Sequence, residues 1–123
     1  MTEFAFNEDG LIPVIAQQHD TGEVLMLAWM NRAALDETIA TGRVCYYSRS
    51  RGKLWRKGDS SGQIQKLVEL RLDCDGDTIL ALVDQTGVAC HTGRRNCFFS
   101  ALRDGEWVEI AQPEISPEAL YHS

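Results

Sequence analysis

The chain has 123 residues, of which 44% are hydrophobic and 24% charged, and its formal net charge is −6. This length predicts one domain with a single core, and the acidic balance argues against broad affinity for nucleic acid, which requires an excess of Lys and Arg. The longest apolar run, Val24–Met30, is too short to cross a membrane, and the first residues are acidic rather than signal-like, so we expect a cytoplasmic protein.

Two strands and a helix are predicted in the first third of the chain. Apolar residues predict strands over 11–16 and 23–29, with turn-forming residues between them. Asn31 is a favourable N-cap and Gly42 can close the helix that follows. The buried face of this helix is predicted to contain Ala34, Leu35, Thr38 and Ile39.

Strands also dominate the predicted middle of the chain. β-branched and aromatic residues predict a strand over 44–48, whereas the polar run 48–58 has no apolar period and is predicted to be a loop. Alternation over 64–74 predicts a strand with one face formed by Ile64, Lys66, Val68, Leu70, Leu72 and Cys74. Asp75-Gly76 is a hairpin signal, and 78–83 should return as a central strand because both of its faces are apolar.

The last part of the chain predicts one more hairpin and a short helix. The hairpin would turn at Asp104-Gly105, between strands over 98–102 and 107–110, and Ser116-Pro117 can begin a terminal helix. The predicted fold is therefore a single α+β domain over 1–123, mostly antiparallel sheet with one or two short helices.

Three of the four cysteines are candidate metal ligands. A reducing compartment favours metal binding or catalysis over disulfides, and Cys74, Cys90 and Cys97 lack the paired spacing of zinc fingers. Three thiolates without a fourth protein ligand would leave zinc an open position for water, as catalytic sites require. The alternative is that they are buried and inert, as we expect for Cys45 in its apolar strand.

Three aspartates form a second candidate site. Asp73 and Asp75 share a predicted strand face, and Asp77 follows the turn. Such close carboxylates repel one another unless a hard cation such as Mg²⁺ neutralises them, and the alternative is a solvated hairpin tip. Because side chains alternate along a strand, Cys74 would point to the opposite face, so that one segment could serve a soft and a hard metal separately.

Residues 90–97 add a histidine and two arginines. His91 lies beside a candidate zinc ligand and could transfer protons, or it is simply a polar surface residue. Arg94 and Arg95 could donate hydrogen bonds toward the sulfur atoms, or they contact phosphate or solvent.

A basic run precedes the long strand. Arg49, Arg51, Lys53, Arg56 and Lys57 fall within nine residues, and Ser60 and Ser61 follow. Forked arginine donors, lysine charges and serine hydroxyls suit phosphate groups, and Trp55 could stack on a purine. The alternatives are a solvated loop and a tryptophan that is simply buried.

Together these segments resemble the phosphoribosyl-AMP cyclohydrolase family of histidine biosynthesis. The similarity runs from about residue 11 to residue 99 without large gaps. Its most specific strings are SRSRGKLWRKG at 48–58, LDCDGD at 72–77, QTG at 85–87 and CHTGRRNCF at 90–98. Small departures occur at Asn96, where a serine is expected, and at Asp59-Ser60, where Glu-Thr is usual, and neither falls on an expected ligand.

The resemblance implies an intertwined homodimer with its active sites between subunits. One subunit would supply Cys74 to a zinc ion held also by Cys90 and Cys97 of the other subunit, and magnesium would bind at Asp73, Asp75 and Asp77. Geometry agrees, because the strand over 78–83 carries the chain away from Cys74 by about 3.3 Å per residue. Since no pyrophosphohydrolase domain follows, a monofunctional enzyme is expected.

The implied reaction adds water, activated by zinc, to C6 of the adenine ring of phosphoribosyl-AMP and breaks the bond to N1. His91 is the candidate for proton transfer. The expected substrate-binding residues are Arg49, Arg51, Lys53, Trp55, Lys57, Ser60, Ser61, Arg94 and Arg95. Two rivals remain: a zinc-stabilised RNA-binding module, which the acidic charge disfavours, and a calcium-binding domain, which leaves the cysteines unexplained.

Overall fold

The computed structural model describes residues 4–59 and 61–121, and strands form most of its regular structure. The elements in chain order are β1 (Ile12–Gln18), β2 (Val24–Met30), α1 (Arg32–Thr41), β3 (Cys45–Ser48), β4 (Lys53–Arg56), β5 (Gln65–Leu72), β6 (Ile79–Gln85), β7 (Ser100–Arg103), β8 (Glu106–Glu109) and α2 (Pro117–Tyr121). The strands form one four-stranded sheet of order β2-β1-β6-β5 and two separate hairpins, β3-β4 and β7-β8. The predicted α+β class is confirmed.

The centre of the large sheet is a parallel pair. β1 and β6 run in the same direction, with Val14 opposite Ile79, whereas β1-β2 and β5-β6 are antiparallel. The sheet is therefore mixed rather than antiparallel throughout. A parallel pair needs a long crossover, and α1, β3, β4 and β5 all lie between these two strands in the chain. The central position of β6 is as predicted from its two apolar faces.

A bulge in β5 changes which residues face the core. Val68 is an extra residue between Leu67, which pairs with Val83, and Glu69, which pairs with Leu82. Because one extra residue shifts the alternation, the side chains that pack against the core are Leu67, Leu70 and Leu72. The predicted face is therefore wrong in its first half, and Val68 is 52% exposed.

Both caps of α1 agree with the prediction. The side-chain oxygen of Asn31 accepts a hydrogen bond of 2.8 Å from the Ala34 amide, and Gly42, with φ 73°, donates its amide to Thr38. The helix buries Ala34, Leu35 and Thr38. Ile39 was predicted on the same face but is exposed, because each residue advances about 100° around a helix and carries it past the sheet.

The basic segment is partly a strand, not the loop predicted over 48–58. Residues 53–56 form β4, which pairs with β3, and Gly52 supplies a positive φ of 63° at the turn between them. Tyr46 lies opposite Trp55 with ring centroids 5.5 Å apart. The sequence of β4 shows no alternation of apolar and polar residues because most of the strand is exposed. The aromatic contact between Tyr46 and Trp55 stabilises its pairing with β3.

One core forms where β1, β2 and β6 meet α1 and β3. The hairpin β7-β8 confirms the predicted turn at Asp104-Gly105, where both residues have positive φ. In the described residues this hairpin pairs with no strand of the large sheet. The predicted terminal helix is α2, and the Ser116 hydroxyl accepts the Ala119 amide at its start. Of the helices in the described segments, neither is long and apolar enough to cross a membrane.

Candidate active site

The three aspartates meet in the turn between β5 and β6, residues 73–78, which we name the acidic turn. The Asp73 carboxylate accepts the amides of Asp77 and Thr78 at 2.9 and 3.2 Å, and the Gly76 amide donates to the Asp73 carbonyl. Carboxylate oxygens of Asp73, Asp75 and Asp77 lie within 4.8 Å of one another. The turn, rather than strand alternation, brings them together, because β5 ends at Leu72 instead of continuing to Cys74 as predicted.

The acidic turn has the donor set that a hard cation prefers. Desolvation acts to raise the pKa of Asp73, but hydrogen bonds from Asp77 and the Thr78 amide outweigh it and lower that pKa. The pKa of Asp77 is raised because it shares hydrogen bonds with the neighbouring carboxyl groups of Asp75 and Asp73. The three exposed carboxylates therefore compete for protons, and a divalent cation would relieve this competition. Their oxygens fit Mg²⁺.

Cys90 and Cys97 lie in the connection after β6, residues 86–97, which we name the cysteine loop. Inside it, the Ala89 and Cys90 amides donate to the carbonyls of Arg95 and Arg94, at 3.0 and 3.2 Å. The Cys97 amide donates to the carbonyl of Leu25 on β2 at 2.8 Å, which anchors the loop to the sheet. The backbone of the loop is thus fixed at both ends.

The two thiols of this loop lie close to one another. Desolvation raises the pKa of Cys97 to about 12, and the neighbouring Cys90 thiol adds to this shift, although Cys97 as a residue is exposed. Cys90 is buried, and its sulfur accepts the Thr92 hydroxyl at 3.1 Å. A soft cation such as zinc suits this pair, because its charge would compensate the two thiolates, whose ionisation burial otherwise disfavours.

Cys74 does not join that pair within one chain. It lies in the acidic turn beside the end of β5 where Leu72 pairs with Ile79, whereas the cysteine loop begins beyond the other end, where Gln65 pairs with Gln85. Six residue steps along β6 at about 3.3 Å span roughly 20 Å. In the described residues, the three thiols form no common group of ligands within 4.8 Å. Cys45 is buried in the core, as predicted, and desolvation raises its pKa to about 11.

Lys57 is a buried cation beside the cysteine loop. It is 7% exposed, its ammonium donates to the carbonyl of Ala89, and it lies 5.2 Å from the Trp55 ring centroid. Desolvation lowers the pKa of Lys57, and the nearby thiols of Cys97 and Cys90 oppose that shift. The sequence predicts Lys57 among the phosphate-binding residues, but in the structure its ammonium donates a hydrogen bond to the cysteine loop and lies over the Trp55 ring.

A buried polar chain, which the sequence analysis missed, supports the same loop. The hydroxyl of Tyr46 donates to Gln65 at 2.6 Å, and the Gln65 amide donates to Gln85 at 2.9 Å. The Gln85 amide in turn donates to the carbonyls of Thr86 and Val88, the first part of the loop. The signal was available, because glutamines stand at inward positions in two apolar strands, where an unpaired amide would be costly.

Exposed basic residues lie around the turn between β3 and β4. Arg49, Arg51 and Lys53 are exposed, and the Arg49 guanidinium lies 4.7 Å from the Trp29 ring centroid. Trp55 is 40% exposed on the adjoining strand. We name residues 48–53 the basic turn. Ser61 is partly buried and its hydroxyl accepts the Gln63 amide, while Ser60 lies outside the described residues.

The remaining predicted site residues are in the cysteine loop. His91 is exposed next to Cys90. Arg94 pairs with Glu109 at 3.0 Å and donates to the Ala111 carbonyl. Arg95 pairs with Glu23 at 3.2 Å and donates to the Gly87 carbonyl. Both guanidinium groups are therefore used within the chain.

A carboxylate turn, a thiol pair and an exposed basic turn together give the chain groups that could hold metal ions and bind a phosphorylated substrate. Comparison with known proteins gives the family. The model of the phosphoribosyl-AMP cyclohydrolase family matches residues 26–99, more than half of the chain, and this chain belongs to that family.

Individual relatives cover nearly all of the chain. It is 73% identical over 118 residues to a phosphoribosyl-AMP cyclohydrolase of Alkalilimnicola ehrlichii. The aligned region covers 95% of this chain and 82% of that protein. Proteins of the same name from Rhodospirillum rubrum and Rhodospirillum centenum are each 70% identical, over 94% and 97% of this chain and 82% and 90% of their own lengths. The similarity therefore includes residues on both sides of the family match.

Proposed function

We propose that this chain catalyses the hydrolytic opening of the adenine ring of phosphoribosyl-AMP, a step of histidine biosynthesis. Water adds its oxygen to C6, the C6–N1 bond breaks, and N1 takes a proton. Family membership and the names of its close relatives support this activity. Within the structure, the observation that carries it is the cysteine loop, whose backbone hydrogen bonds fix Cys90 and Cys97 and whose Ala89 carbonyl accepts the buried ammonium of Lys57.

In this proposal Cys90 and Cys97 of one chain and Cys74 of a second copy hold a zinc ion. The positions of Cys74 and the cysteine loop at opposite ends of the β5-β6 pair support two donating chains. Zinc, when bound, supplies a Lewis acid that makes water nucleophilic near neutral pH. Three thiolates carry excess negative charge, and the ammonium of Lys57 offsets part of it.

The β7-β8 hairpin supports the intertwined homodimer. Leu102 and Trp107 face each other across the hairpin and are 58% and 72% exposed, and Ile110 is 48% exposed. A two-stranded hairpin is marginally stable alone, and clustered exposed apolar side chains are typical of a surface that another chain covers. A second copy of this chain is the proposed partner.

The other site residues receive separate roles. Asp73, Asp75 and Asp77 would hold magnesium, which would neutralise their charge and supply a positive charge for an anionic substrate. Arg49, Arg51 and Lys53 would bind the two phosphates together with Ser60 and Ser61, and Trp55 would stack on the purine. His91, exposed beside Cys90, would deliver the proton to N1. We further propose that the enzyme is cytoplasmic and that residues 1–123 form one domain.

The test combines a reaction assay with metal analysis of the full-length protein. Ring opening of phosphoribosyl-AMP, followed by absorbance, should occur at a zinc content near one ion per chain and should stop when a chelator removes the zinc. AMP is the matched control substrate, and it should not react because its N1 carries no phosphoribosyl group that would make the ring cationic. A zinc- and magnesium-loaded protein that leaves phosphoribosyl-AMP unchanged would refute the proposed function.

A further inference from the structure

The segment that begins at the last residue of β8, residues 109–115, lies against the cysteine loop. We name it the tail segment. The amides of Glu114 and Ile115 both donate to the Gly93 carbonyl, at 2.8 and 3.2 Å. The Arg94 guanidinium donates to the Ala111 carbonyl at 2.9 Å. Consecutive residues of the loop are thus bonded to the tail segment, although the family match ends at residue 99.

The side chain of Arg94 is occupied by these contacts. It is 11% exposed, it pairs with the Glu109 carboxylate at 3.0 Å, and its guanidinium carbon lies 4.0 Å from the Phe99 ring centroid. The Ile110 amide donates to the Phe99 carbonyl at 2.7 Å, which brings the same ring and the tail segment together. A planar fork with several donors can make these bonds at once, whereas lysine cannot.

Gly93 permits the closest approach between the two segments. A Cβ atom at this position would lie 1.7 Å from the Ile115 carbonyl oxygen, well inside contact distance, and φ is +85°. The Gly93 amide also donates to the Cys90 carbonyl at 3.0 Å, which closes the turn that begins at a candidate metal ligand. The residue that meets the tail segment is therefore also hydrogen-bonded to the candidate ligand Cys90.

We propose that the tail segment holds the cysteine loop in the shape that presents Cys90 and Cys97, with Gly93 and Arg94 as its positioning residues. The functional part of this inference rests on the proposed zinc site. It assigns a role in the site to a part of the chain beyond the family match, and it makes Arg94 a residue that acts through the thiols rather than on the substrate.

The principal test compares Gly93→Ala with Gly10→Ala in the full chain. Gly10 also has a positive φ, +74°, but a Cβ there would meet nothing within 4 Å, so it controls for backbone strain alone. Thiol alkylation is followed at each cysteine by mass spectrometry, with and without prior chelator treatment. In Gly93→Ala we expect Cys90 of the chelator-treated protein to react about 10-fold faster, equivalent to about 1.4 kcal/mol of lost protection. Gly10→Ala should leave this rate unchanged.

Cys45 is the internal reference for global unfolding, because it is buried in the core and lies outside the loop. If Cys45 and Cys90 accelerate together, or if Gly93→Ala behaves like Gly10→Ala, the positioning role is refuted. The proposed zinc site fails in a different way, namely when the wild-type protein holds no zinc, and the proposed function fails when the metal-loaded protein leaves phosphoribosyl-AMP unchanged. The alkylation rate still tests the tail segment in that case.

A milder pair of variants tests the same idea without a change in the backbone. Glu109→Gln removes the charge that pairs with Arg94, and Glu106→Gln makes the same change elsewhere on β8. We expect Glu109→Gln to accelerate zinc release to a chromogenic chelator about 3-fold and to lower kcat without changing KM, since substrate contacts are untouched. Equal release rates in the two variants would contradict the assignment of Arg94.

Discussion

The cysteine loop and the basic turn are both polar connections at strand ends, but they differ in how many hydrogen bonds they make to the rest of the chain. The cysteine loop receives hydrogen bonds from the buried Gln85, from Lys57 and from the tail segment, and its Cys97 amide is bonded to β2. In the basic turn, Arg49, Arg51 and Lys53 remain exposed, and the described contacts are mainly local. The protein therefore holds the cysteine loop in place before a ligand binds, whereas the exposed side chains of the basic turn can change conformation.

This difference matches what each proposed ligand requires. A metal ion binds tightly when its ligands are already at the right distances. The conformational entropy of ordering these ligands is then lost during folding and not on binding. A phosphate group tolerates several arrangements of flexible cationic side chains, and the affinity of each is modest. We therefore expect substitutions in the cysteine loop to act on metal retention and turnover, and those in the basic turn to act on substrate affinity.

The largest expected effect comes from the thiols themselves. Cys74→Ser and Cys90→Ser should each lose zinc and activity together. When the two inactive variants are mixed under subunit exchange, a heterodimer would carry one site with both defects and one intact site, so activity should return to roughly half per heterodimer.

Cys45→Ser is the matched control, because it changes a core cysteine and should keep both zinc and activity. If the three ligands came from one chain, every site in the mixture would carry one defect and no activity would return. No recovery, with exchange independently confirmed, therefore contradicts the shared site.

An intermediate effect is expected from a matched pair of lysines, one in each region. Lys57→Met should weaken zinc binding about 10- to 100-fold, since supporting groups around a metal typically have effects of this size. Lys53→Met should leave zinc affinity unchanged and raise KM. Zinc affinity is measured by competition with a chelator. Equal zinc affinity in Lys57→Met and Lys53→Met would contradict the prediction that only Lys57 supports the zinc site.

The smallest effect should come from single arginines of the basic turn. Arg51→Ala is expected to raise KM about 10-fold, or about 1.4 kcal/mol, while kcat and zinc content remain unchanged. Steady-state kinetics with parallel zinc analysis makes the comparison, and high salt should narrow the difference from wild type because the contact is exposed. A fall in kcat with constant KM would place Arg51 in the chemistry rather than in phosphate binding.

Much of the fold could be predicted because alternation is a local property. β1, β2, β6, both caps of α1 and the turn at Asp104-Gly105 follow from residues a few positions apart. The bulge at Val68 could not be predicted, since it depends on how Leu67 and Glu69 meet β6. The parallel pairing of β1 and β6 is likewise decided by packing across the whole chain. β4 was missed because an exposed strand has little apolar pattern to detect.

The candidate site divides in the same way. The aspartates at alternate positions, 73 to 77, were expected to act together, and a local turn is enough to gather them. The location of Lys57 could not be predicted, because its neighbours in sequence are exposed cations and only tertiary structure carries its ammonium to Ala89. The proposed zinc ligands were the hardest to predict, because a single folded chain does not bring Cys74 close to Cys90 and Cys97.

The parallel pair at the centre of the sheet also has a consequence for how the chain acquires its structure. Val14 lies opposite Ile79, a separation of 79 − 14 = 65 positions in the sequence. Contacts between such distant residues form slowly, because a long loop must close before they contribute. During synthesis, the hairpin β1-β2 must therefore wait for β6 to leave the ribosome, and until then its inner strand has an unpaired edge that another nascent chain can bind.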